Sequence, residues 1–446
     1  MSISGRIYDL SLRGLRGLSP LVAGGSGKVG RGVEGRRRDR EAFRRWAEAE
    51  RDPGRPFAWF HAPSVGEGLQ ARAVLRALRE ECPELQTAFS FFSPSAEGLA
   101  RRLEVDVAAY LPWDIQSELG PTLDALRPDL LVFTKTEVWP GLTAAARSRG
   151  IPVVLVAATL PENAGRLRWP GRLLLRRTFR VLERVVTISD EDGVRFRELG
   201  VKSDRVEVAG DPAMDSVLER IRNTDPAAPH LRIFESMTAV KRTLVAGSTW
   251  GPDEAVLVPA LTRLRERFEG EAHPLRLIVA PHEPDSNHLE PLEARLREKG
   301  WDPVRLSDAS TAPAADAVVV DRVGVLAELY TLGDVAFVGG GFGTDGLHSV
   351  LEPAAAGIPV VFGPNHRNAR AAGELEAVGG GRSVADESQL VESLERWLDG
   401  EAADTARVRA GTLARRYIEA HKGASRATAR ILNALISHTR SSKEFP

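Results

Sequence analysis

The segment Phe337–Pro364, FVGGGFGTDGLHSVLEPAAAGIPVVFGP, limits what this chain can fold into more than any other stretch. It begins as an apolar strand and breaks into a glycine-rich loop. His348, Ser349 and Glu352 then open a helix, and a second apolar run, Val360–Phe362, follows closely. Strand, glycine loop and helix start together gather backbone N–H groups and the positive end of a helix dipole at one point, which suits a phosphate. Glu352 falls about one turn inside the helix, where a carboxylate can accept from ribose hydroxyls. The same segment also reads as an ordinary tight turn of an α/β sheet, and the remainder of the chain decides between the two.

A chain of 446 residues exceeds what one core sustains, so two domains are expected. From Phe57 onward, apolar runs alternate with helical patterns at βαβ spacing. Strands are expected at 57–61, 87–92, 107–110, 130–133, 153–156, 185–188 and 206–208, with helices between them. Weak periodicity and three prolines mark 212–238 as a linker. The alternation then restarts, with strands at 243–246, 276–280, 317–320, 335–338 and 360–362. The expected architecture is α/β, two Rossmann-like, doubly wound parallel-sheet domains facing each other across a cleft, over residues 51–211 and 239–400. Residues 401–446 read as further helices, the last of which can return to the first domain.

Composition narrows the function. A net charge of −1 argues against a general nucleic-acid binder. Cys82 is the only cysteine, so an internal disulfide is excluded and a reducing compartment fits. The nine histidines are scattered without thiol partners, so no metal site or cofactor is expected. Residues 1–45 hold eleven Lys/Arg against four Asp/Glu, with Ile7, Leu10, Leu12, Leu15, Leu18, Leu21 and Val22 interspersed and the basic run Arg36–Arg40 behind them. That pattern makes residues 1–50 an amphipathic segment suited to an anionic membrane surface; a solvated leader is the plainer account.

Polar loops follow most strands. His61-Ala62-Pro63-Ser64-Val65-Gly66-Glu67-Gly68 leaves the first strand, with Glu67 at a helix start. A carboxylate there can serve as a general base or simply complement the helix dipole. Ser64 and Gly66 beside it are candidate substrate contacts. Lys135 and Glu137, at the exit of the fourth strand, can meet a charged substrate or pair with each other. In the second half, Ser248 and Thr249 offer hydroxyls suited to a phosphate, and His282 follows Pro281 at the next strand exit. Asp321-Arg322-Val323-Gly324 opens a further helix. All these loops, with His348–Glu352, belong on the carboxyl edges of the sheets.

The motifs HAPSVGEG, FFSPSAEG, YLPWD, TEVWPGL, VAGSTW, DRVGVLAELY and GGGFG…HSVLEPAAAGIPVVFGP, in that order, resemble the 3-deoxy-D-manno-octulosonic acid (Kdo) transferases of lipopolysaccharide assembly. The match runs over nearly all of residues 57–385. The resemblance implies a GT-B fold and metal-independent, inverting transfer of Kdo from CMP-Kdo to a lipid A precursor on the cytoplasmic face of the bacterial inner membrane. It implies Glu67 as general base, and CMP contacts at Pro281 and His282, at Val323, Gly324 and Val325, and at Ser349, Val350, Leu351 and Glu352.

The chain departs from the family pattern at four positions. Pro281-His282-Glu283 stands where many members have Pro-Arg-His, and Ser349 follows His348 where asparagine is common. Lys135 occupies a usually acidic position, and Ala213 one that is usually basic. A GT-B transferase for another nucleotide sugar and a non-catalytic paralogue are the alternative readings.

Overall fold

The computed structural model describes residues 3–19, 27–162, 164–167, 171–237, 242–268, 275–312, 314–344 and 346–444. Leu21 and Val22 lie outside these. The chain divides into two compact units, Met1–Ser216 with Lys422–Pro446, and Val217–His421.

The first unit holds β1 (Phe57–His61), β2 (Gln86–Phe91), β3 (Val107–Tyr110), β4 (Leu130–Thr134), β5 (Val153–Ala158), β6 (Arg184–Thr187) and β7 (Val206–Val208) in the order β3-β2-β1-β4-β5-β6-β7. Every pairing is parallel. Parallel strands covered on both faces must be apolar throughout, and β1 shows why its sequence, FAWFH, suits that place. Phe57 and Trp59 face a core with Phe43, Trp46, Leu131 and Phe133. Ala58 and Phe60 face the other layer, with Val74, Leu78, Ala429 and Leu432. Phe60 is wholly buried, so truncating it to alanine costs about 3–5 kcal/mol.

The second unit holds β8 (Arg242–Thr249), β9 (Leu275–Pro281), β10 (Pro303–Arg305), β11 (Ala317–Val319), β12 (Val335–Val338), β13 (Val360–Phe362) and β14 (Gly381–Ser383). Their order is β10-β11-β9-β8-β12-β13-β14, again all parallel. The strand order reverses around β1 in the first sheet and around β8 in the second. Ligands of doubly wound sheets bind beyond the carboxyl ends of such strands.

Four stretches differ from the sequence expectation. Residues 212–238 carry two helices, Pro212–Arg222 and Pro229–Ser236, because Pro212 and Pro229 sit at helix starts, where proline is well suited, rather than inside a loop. The short edge strands β10 and β14 escape the hydrophobic pattern, being only three residues each, PVR and GRS, too short for an apolar run. Within residues 1–50, part of the chain enters the core. Helix Ala42–Glu50 sends Phe43 and Trp46 into the core, 5.3 Å from Trp59 and 5.6 Å from Phe57 respectively. Arg36 is buried too, lying 3.8 Å over the Phe92 ring and donating to the Gly32 and Phe92 carbonyls.

Candidate active site

The loop after β1 caps helix Val65–Glu81, and Glu67 stands in its first turn. The Ser64 hydroxyl donates to Glu67 Oε2, and Lys135 Nζ lies 3.6 Å from Oε1. Burial by itself pushes the Glu67 pKa up. The Ser64 hydroxyl, the Lys135 ammonium and the residue's own backbone N–H outweigh it and hold the carboxyl below the ordinary glutamate value. Glu67 is therefore an ionised, partly exposed carboxylate at the switch point of the first sheet.

Lys135 reaches it from the end of β4, the strand beside β1. Its φ is +67°, a left-handed conformation that costs a non-glycine residue on the order of 1 kcal/mol or more. Its N–H donates to Val156 O at 2.8 Å, which pins the backbone there. The ammonium also acts on the carboxyl of Asp211, whose pKa burial raises while Ala213 N–H, Gln70 and Lys135 oppose the rise. Gln70 is bonded to that carboxyl at 3.0 Å, one turn beyond Glu67 on the same helix.

Glu137 does not join this group. It accepts from Arg166 Nη2 at 2.6 Å, so Lys135 and Glu137 are each paired elsewhere and not with one another. Gly66 is exposed beside Glu67. His61, from the same motif, is buried beneath. Burial pushes its pKa down to about 3, so it is a neutral ring, 2.9 Å from Ser90 Oγ.

In the second unit the loops leaving β8, β9 and β12 bring three rings together. His282 and His348 stack with centroids 4.2 Å apart, Trp250 lies 4.9 Å from His282, and Trp250 Nε1 donates to His348 Nε2 at 3.1 Å. Ser248, at φ +54°, is the second strained residue at a switch point.

The glycine loop after β12 is organised by a residue that sequence reading passed over. Asp253 is fully buried and accepts from three backbone N–H groups: Trp250 at 2.9 Å, Gly340 at 2.8 Å and Phe342 at 3.1 Å. Gly339 N–H goes to Gly247 O at 2.9 Å. These amides are thus consumed within the fold, which corrects the expectation that the loop presents them to a phosphate. The helix that follows is also short, Leu351–Ala356. Glycine at 339 is required by space, because a Cβ there would sit 2.3 Å from Ser248 O. The signal for Asp253 was its position three residues after Trp250, a capping-box acid at a helix start.

Thr249 is a second correction. Its hydroxyl is buried and donates to Glu254 Oε1 at 3.0 Å, so it is not directed at a ligand. Pro281, Val350 and Leu351 are buried as side chains and offer only backbone. The open positions are His282, Ser349, the turn Val323–Val325, where Val323 is 78% exposed and Gly324 has φ +94°, and Glu352. Glu352 keeps 23% of its side chain exposed and pairs with Arg220 at 3.1 Å. Among the described residues, Glu283, Asp285 and His288 lie close enough to share an ion. Asp285 and His288 already form an exposed pair at 2.8 Å.

Two tandem parallel sheets, each with polar loops gathered at its switch point, define an α/β enzyme of the GT-B class. The fold matches that of UDP-GlcNAc 2-epimerase from Neisseria meningitidis with a TM-score of 0.61, over 85% of this chain and 100% of that one, at 14% identity. Residues 36–216 match the family model of 3-deoxy-D-manno-octulosonic-acid transferase (kdotransferase). The 3-deoxy-D-manno-octulosonic acid transferase of Bordetella pertussis is 30% identical over 384 residues, 83% of this chain and 85% of that one. The enzyme of the same description from Chlamydophila psittaci is 27% identical over 366 residues, 80% and 81% of the two chains. The chain belongs to the 3-deoxy-D-manno-octulosonic acid transferase family and is a glycosyltransferase.

Proposed function

We propose that this chain moves Kdo from CMP-Kdo to a lipid A precursor in lipopolysaccharide assembly, with inversion at the anomeric carbon and without a metal. Glu67 is the general base. It takes the proton of the incoming acceptor hydroxyl as the oxygen bonds to the anomeric carbon, and the bond to the CMP phosphate breaks on the opposite side. The observation that carries this reading is the Ser64–Glu67–Lys135 group at the switch point of the first sheet, an ionised carboxylate with part of its surface open.

Lys135 fills two needs. It keeps Glu67 charged, and its reach to Asp211 sets a cation beside the turn in which Ala213 stands. In the second unit the reading assigns CMP to the open positions. His282 and His348 serve the phosphate side, and the Val323–Val325 turn and Ser349 flank the nucleoside. Glu352 accepts from the ribose hydroxyls.

Association with the inner-membrane surface is part of the same reading. Helix Ile3–Leu18 docks by its polar side: Tyr8 donates to Asp114 at 2.8 Å, Asp9 accepts from Gln116 N–H at 3.2 Å, and Arg16 pairs with Glu118 at 2.8 Å. Leu10, Leu15 and Leu18 are left outward, 72%, 57% and 59% exposed. A helix on a soluble surface normally does the reverse. No helix among the described residues is long and apolar enough to cross a membrane. Arg37, Arg38, Arg40, Arg44 and Arg45, with Glu41 and Glu48 among them, line a hollow of about 440 Å³ whose net positive charge suits anionic headgroups.

The test of the donor is a nucleotide panel read by calorimetry and thermal shift. CMP is expected to bind and stabilise the protein, whereas UDP and GDP leave it unchanged. Stabilisation by UDP instead of CMP would replace this reading with a transferase for another nucleotide sugar.

A further inference from the structure

We infer that Arg220 is a positioning residue for the nucleotide, clamping the Val323–Val325 turn to Glu352; this rests on the donor reading above. The guanidinium makes two bonds with two different groups. Nη1 lies 3.1 Å from Glu352 Oε1, and Nη2 donates to Gly324 O at 2.7 Å. These two groups are far apart in sequence, on the exit of β11 and the helix after β12. No other described side chain bonds both. A planar fork can hold two acceptors in fixed directions, which an ammonium cannot reproduce.

The clamp also sets the charge of Glu352. Burial pushes that carboxyl's pKa above the ordinary glutamate value, and Arg220 limits the rise without cancelling it. Tyr330, wholly buried, is the other ionisable group nearby; burial and the charge of Glu352 push its pKa up, so it stands there as a neutral phenol. With Oε1 held by Arg220, Oε2 has no partner among the described residues and remains an acceptor. A protonated Glu352 would lose that acceptor capacity toward a vicinal diol. Arg220 thus fixes one loop in place and favours the accepting, ionised form of the acid next to it.

The experiment measures CMP binding to the full-length protein by calorimetry across pH, for the wild type and for Arg220→Met, Arg220→Lys and Glu352→Gln. Arg220→Met is expected to weaken CMP by about 10- to 100-fold at neutral pH, the range for lost charge-assisted hydrogen bonds. Part of that loss returns as pH rises and Glu352 ionises again, and that recovery lies at higher pH than any pH dependence of the wild type. Arg220→Lys returns the pH profile to that of the wild type without restoring full affinity. The double variant Arg220→Met/Glu352→Gln binds no worse than Glu352→Gln by more than about twofold, because the two side chains act as a unit.

Hydrogen exchange over residues 323–325 is read on the same proteins without nucleotide. Faster exchange in Arg220→Met is the expected result. Affinity within about twofold of wild type at every pH, or unchanged exchange in that turn, overturns the clamp. If the wild type itself does not bind CMP, the donor reading fails while the exchange result still decides the clamp.

Discussion

Lys135 holds its ammonium 3.6 Å from Glu67 Oε1, and it does so from a left-handed backbone at φ +67°. The two residues come from neighbouring parallel strands, one from the loop after β1 and the other from the end of β4. Each strand delivers its residue at the same sheet edge. Strain at such a point persists only where the surroundings fix it, here through the bond from Lys135 N–H to Val156 O. The pairing gives the carboxylate a cationic neighbour without burying it from substrate.

Glu67→Gln keeps the shape of the side chain and removes its basicity. Turnover is expected to fall by about 10²- to 10⁴-fold. CMP affinity, measured by calorimetry, stays within about twofold of wild type, since the positions proposed for the nucleotide lie on other loops. Near-normal turnover would place the base elsewhere.

The pH profile reports the neighbours of Glu67. Its folded pKa lies below the ordinary value, so the stabilisation it supplies is present above the ordinary carboxylate range and is lost as pH falls through the folded value. The acid limb of kcat/KM should follow the same group. Lys135→Met removes a nearby cation and Ser64→Ala a hydrogen bond, and either change moves that limb to higher pH. An acid limb that moves in neither variant would separate the limb from Glu67.

Asp253 is expected to matter for stability more than for chemistry. Asp253→Ala strands three N–H groups, on Trp250, Gly340 and Phe342, at a cost of about 3 kcal/mol. The readout is a lower denaturant midpoint together with faster amide exchange over residues 339–343. Wild-type exchange in that loop would show that its own packing holds it.

The outward leucines should govern membrane binding. Leu10→Asp, Leu15→Asp and Leu18→Asp combined are expected to release the protein from vesicles containing anionic lipid, measured by flotation, while the melting temperature stays close to wild type. Added salt weakens binding of the wild type through its arginines. Unchanged flotation of the triple variant would leave the helix without a role at the membrane.

Much of this was legible in the chain because parallel strands covered on both faces are written as unbroken apolar runs. FAWFH for β1 and VAFV for β12 are examples. The strand exits followed, and with them Glu67, His282 and Glu352. What the sequence concealed depends on contacts between distant residues. Arg220 meets Glu352 across 132 positions, and no local pattern distinguishes it from any other arginine of an amphipathic helix. Pro212 and Pro229 read as linker punctuation although they begin helices. The glycine loop looked like a phosphate cradle because its glycines were visible and the acid that takes its amides, Asp253, was not.

The most direct test of the account is transfer of labelled Kdo from freshly made CMP-Kdo to a tetra-acylated lipid A precursor, run with and without EDTA on the wild type and Glu67→Gln. The account predicts product with the wild type, insensitive to EDTA, and essentially none with Glu67→Gln. Wild-type protein that binds CMP yet forms no Kdo-lipid product, or a Glu67→Gln variant that forms it at the wild-type rate, would contradict it.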